Sequence, residues 1–472
     1  MKSLDSEILG VLWQDAEARE QMLRRVITDR LGANPPPALD DHVVATYFLA
    51  LRSWTLSQAG KEISYHATSG TKDITPGSLI EQCTGHAAGI DAFDATGRMG
   101  LVHMAFPLKM LLQHDGRLTS TDLLHTAAGA ILFDVYENQD VRLVRLQLPE
   151  RVVRTFPGPA HGPSGLRKLT GFGESEPAFG TILKPTAGIT PEQVGNLLQE
   201  AAACPLFLFV KEDENLYPRL DYSPVRERTR AAVEAIKRVQ DRRGGKGLVF
   251  APHITGAPHE ILESADAALD AGASGLMFSE SFAQGTVRMV REATRNRPTP
   301  PAIYGHNAGI GVKTRGGIWR EVIDLLARLD GIDFRQTAPV RPGTPFIFPH
   351  GDEWLASERT LSEPLPGIRA TMIARAGGLD QGNIILNLED AERRGLSAGI
   401  LFLAGSAINS IKNRAGQADP GLGAEAMRQA LEIHRSGELR GVPMAEHRSA
   451  LTELCERNGL KELREALRQR YE

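Results

Sequence analysis

An apolar run, Leu206-Phe207-Leu208-Phe209-Val210, ends in four consecutive charged residues, Lys211-Glu212-Asp213-Glu214. Lys211 and Asp213 lie two apart, so they share a face while the chain stays extended. A lysine that has taken up CO2 is a carbamate, a monodentate anionic oxygen donor. With Asp213 and Glu214 it would offer three anionic oxygens to Mg2+ and leave positions for water and substrate. A cation held in this way is a Lewis acid toward a carbonyl, which assists proton removal beside that carbonyl. A solvated charged loop uses the same residue types, so the motif takes its meaning from its neighbours.

Several neighbours carry chemistry of their own. Gly180-Thr181-Ile182-Leu183-Lys184-Pro185 sets a lysine at the end of another apolar run. Desolvation and a nearby cation lower a lysine's pKa and turn it into a proton carrier near neutrality. The same Lys184 could instead be simply neutralised by Asp213 or Glu214. Tyr304-Gly305-His306-Asn307 offers His306 to bind a hydroxyl or move a proton. His253-Ile254-Thr255-Gly256, Arg341-Pro342-Gly343-Thr344, Ala376-Gly377-Gly378 and Ala404-Gly405-Ser406 follow other apolar runs. Glycine turns let backbone N–H groups approach an anion, and they also serve ordinary turns.

These residues need a scaffold that gathers strand ends. The β-prone runs are Gly180–Pro185, Leu206–Val210, Gly247–Ala251, Gly275–Ser279, Pro301–Gly305, Ile332–Gln336, Ile368–Ala374 and Gly399–Ala404. Helical periodicity marks Pro191–Ala203, Val225–Asp241, His259–Ala271, Gly285–Arg295, Gly317–Leu329, Ile384–Arg394 and Pro420–Ser436. Strands apolar on both faces that alternate with helices imply a parallel sheet, and eight such units imply a (β/α)8 TIM barrel with its chemistry at the strand C-termini. An open doubly wound sheet is the rival, weakened because no GxGxxG follows the first strand.

Residues 1–165 are mixed, with helices over Met22–Leu31 and Thr121–Thr126 and strands over His42–Leu51 and Gly100–Ala105. The Pro/Gly-rich stretch Phe156–Gly165 reads as a linker to a barrel domain, 166–472, which ends in charged amphipathic helices from Ala445 onward.

Composition bounds the function. The 472 residues are 42% apolar and 24% charged, with a formal net charge of −4. That balance argues against nucleic acid or an anionic membrane as main partner. Cys83, Cys204 and Cys455 are far apart, with neither disulfide nor zinc spacing. Acidic residues Asp5 and Glu7 and the lack of an apolar run of about 18 residues argue against a signal peptide or a membrane span, so a cytoplasmic location is expected.

In order and spacing these motifs resemble the RuBisCO large subunit and its RuBisCO-like relatives (form IV), from about residue 42 to about residue 450. Thr181-Ile182-Leu183-Lys184-Pro185 resembles the family's Thr-Ile-Lys-Pro, and Phe207–Glu214 its Gly-Asp-Phe-x-Lys-x-Asp-Glu. His253–Thr255, His306-Asn307, Ala376–Gly378 and Thr68–Thr71 resemble its Asn-x-Thr, His-Arg, Ser-Gly-Gly and Ser-Thr-Gly-Thr stretches.

The resemblance implies an N-terminal α+β, ferredoxin-like domain that completes the barrel site of another subunit. It therefore implies a homodimer or higher homo-oligomer, with His66, Thr71 and Lys72 reaching a neighbour's site. It also implies Mg2+ on carbamylated Lys211, Asp213 and Glu214. Lys184 would move the proton and His306 hold a hydroxyl. Thr71, Lys72, Gly377, Gly378, Gly405 and Ser406 would hold an anion, Arg341 a second anion, and Asn307 would contact the substrate.

The departures set the subclass. Asn307 stands for the phosphate arginine, Arg341 for a histidine, Ala376 for a serine and Thr186 for a lysine. His66 stands for a glutamate and Asp134 for an asparagine, and Pro345–Pro349 contains no lysine to handle CO2. The expected activity is thus not CO2 fixation. It is Mg-dependent enolisation of a sugar phosphate or sugar acid, leading to isomerisation or decarboxylation. A non-catalytic homologue with a binding or regulatory role and another metal-dependent barrel lyase, such as an aldolase, are the alternatives.

Overall fold

The computed structural model describes residues 6–129, 136–341 and 351–471. Asp134 and the residues from Pro342 to Pro349, the lysine-free segment among them, lie outside those residues. The chain divides into two compact units, Met1–Thr155 with Val312–Ile323, and Phe156–Gly311 with Asp324–Glu472.

The first unit runs strand His42–Leu51, helix Leu56–Ser64, strands His86–Ala92 and Met99–Pro107, helix Ser120–Ala128 and strand Asn138–Gln147, after a leading helix Ser6–Ala33. The four strands form one antiparallel sheet in the order second, third, first, fourth, the ferredoxin-like arrangement. Strand His42–Leu51 lies in the sheet's interior, so its side chains alternate between two covered faces. On one face Phe48 packs with Ile27, Leu31, Leu101, Val144 and Trp319. On the other the Tyr47 hydroxyl donates to the Ala127 carbonyl at 2.7 Å. Helix Leu56–Ser64 starts where Thr55 and Gln58 cap each other's backbone N–H groups. Strands His86–Ala92 and Asn138–Gln147 have no uniformly apolar face, which explains why apolar patterning does not reveal them.

The second unit is a barrel. Its strands are Ala178–Ile182, Phe207–Lys211, Val249–Ala251, Gly275–Phe278, Ala302–Gly305, Phe334–Thr337, Met372–Arg375 and Ile400–Ala404, paired in parallel, with the eighth beside the first. A parallel bridge between His253 and Met277 joins the third strand to the fourth. Inward residues Phe209, Ala251, Met277, Tyr304, Phe334, Ala374 and Leu403 pack as one interior cluster. Helices Pro191–Ala202, Val225–Arg238, Pro258–Asp270, Thr286–Thr294 and Ile384–Arg393 fall within about two residues of their periodic patterns at each end, apart from the C-terminal end of the second.

The structure adds two features to the sequence reading. The Pro/Gly-rich stretch is not a free tether. Its last four residues begin helix Gly162–Thr170, and its backbone is held by Gly158 N–H to the Leu329 carbonyl (3.0 Å) and by His161 N–H to Asp333 (2.8 Å). Helix Asp352–Ser362 follows the sixth strand without a periodic apolar face, because its buried side includes Ser357 and Glu358, which bond Asp324 and Arg375.

Helices Pro420–Ser436, His447–Asn458 and Lys461–Tyr471 cover the first and eighth strands through Met427, Leu431, Leu451, Leu463 and Leu467. The three cysteines are free thiols. No helix among the described residues is long and apolar enough to cross a membrane.

Gly423, inside helix Pro420–Ser436, tests how tightly that cover is packed. Helix propensity favours alanine there by about 1 kcal/mol. A Cβ, however, would meet the Ile408 carbonyl carbon at 2.8 Å, and the carbonyl oxygen lies nearer still. Gly423→Ala is therefore expected to destabilise the protein by about 1–3 kcal/mol, read as a lower denaturant midpoint. A raised midpoint would show that the helix is free to move off its neighbour.

Candidate active site

The second barrel strand sorts its charged end by alternation. Phe209 belongs to the interior cluster and Val210 to the outer layer, so Lys211 points inward and Glu212 outward. Glu212 and Arg228, both without solvent exposure, form a bidentate pair, Nε to Oε1 at 2.8 Å and Nη2 to Oε2 at 2.9 Å. The same guanidinium donates to the carbonyls of Leu216 (3.1 Å), Tyr217 (2.9 Å) and Ser223 (2.5 Å). Glu212 Oε2 also accepts the His253 N–H at 2.8 Å. One buried pair thus fixes the loop after the second strand and the end of the third.

Inside the barrel mouth Lys211 is wholly buried. Its Nζ donates to the Glu212 carbonyl at 3.1 Å and stands 5.4 Å from the centre of the Tyr304 ring. Burial lowers the Lys211 pKa to about 8, against the pull of Glu214 and Asp213. Asp213 accepts from Lys184 Nζ at 2.5 Å on Oδ2, and from the Asn215 N–H (3.2 Å) and side-chain amide (3.1 Å) on Oδ1. Burial alone would raise the Asp213 carboxyl, but the Lys184 ammonium prevails and holds it below the usual range.

His306 reaches Glu214 through Nε2 at 3.3 Å, and its Nδ1 accepts the Ala308 N–H at 3.1 Å. The tautomer follows: with Nδ1 accepting, Nε2 of the neutral ring carries the proton on the side of the Glu214 carboxylate. Burial keeps His306 neutral, with its pKa well below the ordinary value.

The other strand ends add anion-binding shapes. Lys184 runs alongside Gly405, where an added Cβ would lie 3.8 Å from Lys184 Cε. Asn409 joins this corner by donating to the Ile182 carbonyl (2.8 Å) and the Gly405 carbonyl (3.0 Å). Ser406 Oγ accepts from Arg470 at 3.4 Å. Gly377 and Gly378 take φ of +87° and +107°, and the Arg341 guanidinium lies so close over Gly378 that a side chain there would collide with it. Asn387 pins both backbone groups of Val340, the residue before Arg341, at 2.8 and 2.9 Å. Asn307 is half-buried beside His306.

The structure therefore brings Lys184, Lys211, Asp213, Glu214 and His306 together, and sets Arg341 on Gly378. His66, Thr71 and Lys72 belong to the other unit. There His66 is 3.6 Å from Glu62, Thr71 Oγ1 accepts the Asp73 N–H, and Lys72 lies 5.4 Å from the Tyr65 ring centre.

Sequence reasoning missed Glu212, Arg228 and the His253 side chain. The alternation that sends Lys211 inward sends Glu212 outward, where a buried carboxylate needs a cation. That signal was available, but choosing Arg228 over Arg226 or Arg230 requires the phase of the following helix.

The donor set fits a hard divalent cation. Among the described residues no three His, Cys, Asp or Glu side chains form a ligand group. Asp213 and Glu214 supply two carboxylates, and Lys211 completes the set only as a carbamate. Burial brings the Lys211 pKa down to about 8 and so enlarges the fraction of uncharged amine, the form that reacts with CO2.

Residues 165–344 match the family described as ribulose bisphosphate carboxylase large chain, catalytic domain. The chain is 36% identical over 190 residues to a 3-oxo-isoapionate-4-phosphate transcarboxylase/hydrolase of Xanthobacter autotrophicus, a match covering 40% of this chain and 44% of that protein. It is 28% identical over 343 residues to a 3-oxo-isoapionate-4-phosphate decarboxylase of Rhizobium etli, covering 71% and 76%. Its fold is that of a RuBisCO-like protein from Burkholderia fungorum, with a TM-score of 0.71 and 24% identity over 90% of this chain and 99% of that one.

The buried pair yields a direct test. Arg228→Met leaves Glu212 charged and unpaired, and is expected to cost about 3–5 kcal/mol of stability. Joint replacement, Glu212→Gln with Arg228→Met, should recover part of that loss in a denaturant titration. A single variant as stable as the parent would show that the pair does not hold the strand end.

Proposed function

We propose that this chain, which belongs to the RuBisCO large-chain superfamily and is RuBisCO-like, is a non-carboxylating enzyme that decarboxylates a 3-oxo sugar-acid phosphate through an enolate. The observation that carries the reading is the single cluster of Lys184, Lys211, Asp213, Glu214 and His306 at the barrel's strand ends. The sugar-acid phosphates named for the Xanthobacter and Rhizobium relatives supply the substrate class.

In this reading the bond between the α-carbon and the carboxylate carbon breaks. CO2 leaves, and the electron pair moves toward the 3-oxo oxygen. Mg2+, held by Asp213, Glu214 and carbamylated Lys211, would supply Lewis-acid stabilisation of the charge on that oxygen. Lys184 Nζ, held at the mouth by Asp213, gives its proton to the α-carbon. His306 and Asn307 orient the substrate's hydroxyls. Arg341 and the Gly377–Gly378 turn form one anion site for the phosphate, where a guanidinium adds paired donors to backbone N–H groups. Gly405 and Ser406 border the corner beside Lys184. In a homodimer His66, Thr71 and Lys72 of one copy would complete the site of the other. Isomerisation of a ketose phosphate uses the same groups, with Lys184 first taking the proton.

With Mg2+ and bicarbonate, the protein is expected to convert 3-oxo-isoapionate 4-phosphate to its decarboxylated ketone, with one solvent deuterium at the former α-carbon by NMR. Lys184→Ala should lower kcat by ~10^2–10^4. Lys211→Ala should lose activity together with its CO2 dependence. Deuterium uptake without loss of the carboxylate would point to isomerisation. Neither deuterium uptake nor decarboxylation with the wild-type protein would refute enolisation of this substrate class.

A further inference from the structure

The third barrel strand carries a side chain with no place in the mechanism above. Val249 and Ala251 point into the barrel's interior cluster, so His253, two residues further on, points the same way. Its bridge partner Met277 belongs to that cluster too. Ala251 pairs with Lys211, which sets His253 roughly 6.5 Å beyond the level of Lys211, toward the mouth.

His253 is only 1% exposed and is clamped at every other point. Its N–H donates to Glu212, its carbonyl accepts from Arg228 at 3.5 Å, and its Nδ1 lies 3.1 Å from the Leu216 carbonyl. A carbonyl only accepts, so Nδ1 carries the proton, and Nε2 of the neutral ring is an acceptor. That Nε2 is buried and has no hydrogen-bond partner among the described residues. A core histidine would normally have both nitrogens satisfied, because a buried polar atom left unmatched is costly. An acceptor held rigidly at the mouth of a site is a binding group for a donor that arrives with the substrate.

We propose that His253 Nε2 accepts a hydrogen bond from a hydroxyl of the substrate, so that the site selects a hydroxylated acid phosphate over its deoxy counterpart. The proposal rests on the substrate class argued above. His306 has its proton on Nε2, so the two buried histidines differ in character: the nitrogen on the Glu214 side of one is a donor and the unmatched nitrogen of the other an acceptor.

Isothermal titration with erythronate 4-phosphate and with 4-phosphooxybutanoate, its hydroxyl-free counterpart, in Mg2+ and bicarbonate tests this. The wild type is expected to bind the hydroxylated compound about tenfold more tightly. H253L should lower that preference by about threefold or more, with His306 and Asn307 keeping the remainder, and leave Mg2+ affinity unchanged. Where H253L fails to fold, H253Q and H253N decide. A glutamine amide oxygen reaches the Nε2 position and should keep most of the preference, whereas asparagine reaches only Nδ1 and should lose the share that His253 supplies. Equal binding of both compounds by the wild type, or an undiminished preference in H253N, overturns the role of His253 alone. Loss of Mg2+ binding in H253L also overturns it, by assigning the ring to the cation. Binding of neither compound by the wild type overturns the substrate class, and this proposal with it.

Discussion

Glu212 and Arg228 meet in a place without water, and the order of the barrel mouth follows from that meeting. A carboxylate and a guanidinium stripped of solvent are tolerable only when each is fully matched, and here both forks engage while the leftover N–H groups reach carbonyls. Those carbonyls belong to the loop that leaves the second strand and to His253 at the end of the third. The pair therefore acts as a peg driven through the layer between strand and helix. With Glu212 fixed outward, backbone alternation sends Lys211 inward beneath Asp213, and the ion pair to Lys184 brings in the first strand.

Buried arginines recur throughout this unit, and the two ends of the barrel use them differently. At the strand N-termini, Arg243 donates to the carbonyls of Ala202, Cys204, Phe207 and Gly247, and Arg328 to those of Thr360, Ile368 and Arg369. Helices finish there, so unpaired carbonyls and the negative ends of helix dipoles collect, and a guanidinium satisfies both. Burial lowers both of these arginines to about 10, and the Cys204 thiol beside Arg243 and the Glu363 carboxylate near Arg328 offset only part of the loss of water. Toward the strand C-termini, Arg228 and Arg335 are matched by carboxylates instead, with Arg335 paired to Asp324 (2.6 Å) and Glu280. The division suits a barrel whose lower end provides stability and whose upper end holds ionisable groups in fixed positions.

Much of this was legible in the chain. Uniformly apolar strands such as Phe207–Val210 and Ile400–Leu403 announce a sheet covered on both sides, and helix Pro420–Ser436 matches its periodic pattern end to end. Lys184, Lys211, Asp213, Glu214 and His306 were readable because each lies at or just beyond the end of a strand, where a barrel gathers its ends. What could not be read depends on partners distant in sequence. Helix Asp352–Ser362 buries Glu358 against Arg375, so its polar residues disguise the buried face. His253 looked like one more turn residue until the third strand's register aimed it inward. Arg341 and the glycine pair 36 residues later gave no sign that one lies upon the other.

The alternation at Lys211-Glu212-Asp213-Glu214 has an evolutionary corollary. Neighbouring positions serve opposite sides of one β-strand, so the segment tolerates exchange of side chains far better than a change in its length. One codon gained or lost between Phe207 and Lys211 would turn the chain over, delivering Glu212 into the cavity and the amine of Lys211 toward the guanidinium of Arg228. Drift in this lineage can reshape specificity through the surrounding loops while the reading frame of the second strand stays locked.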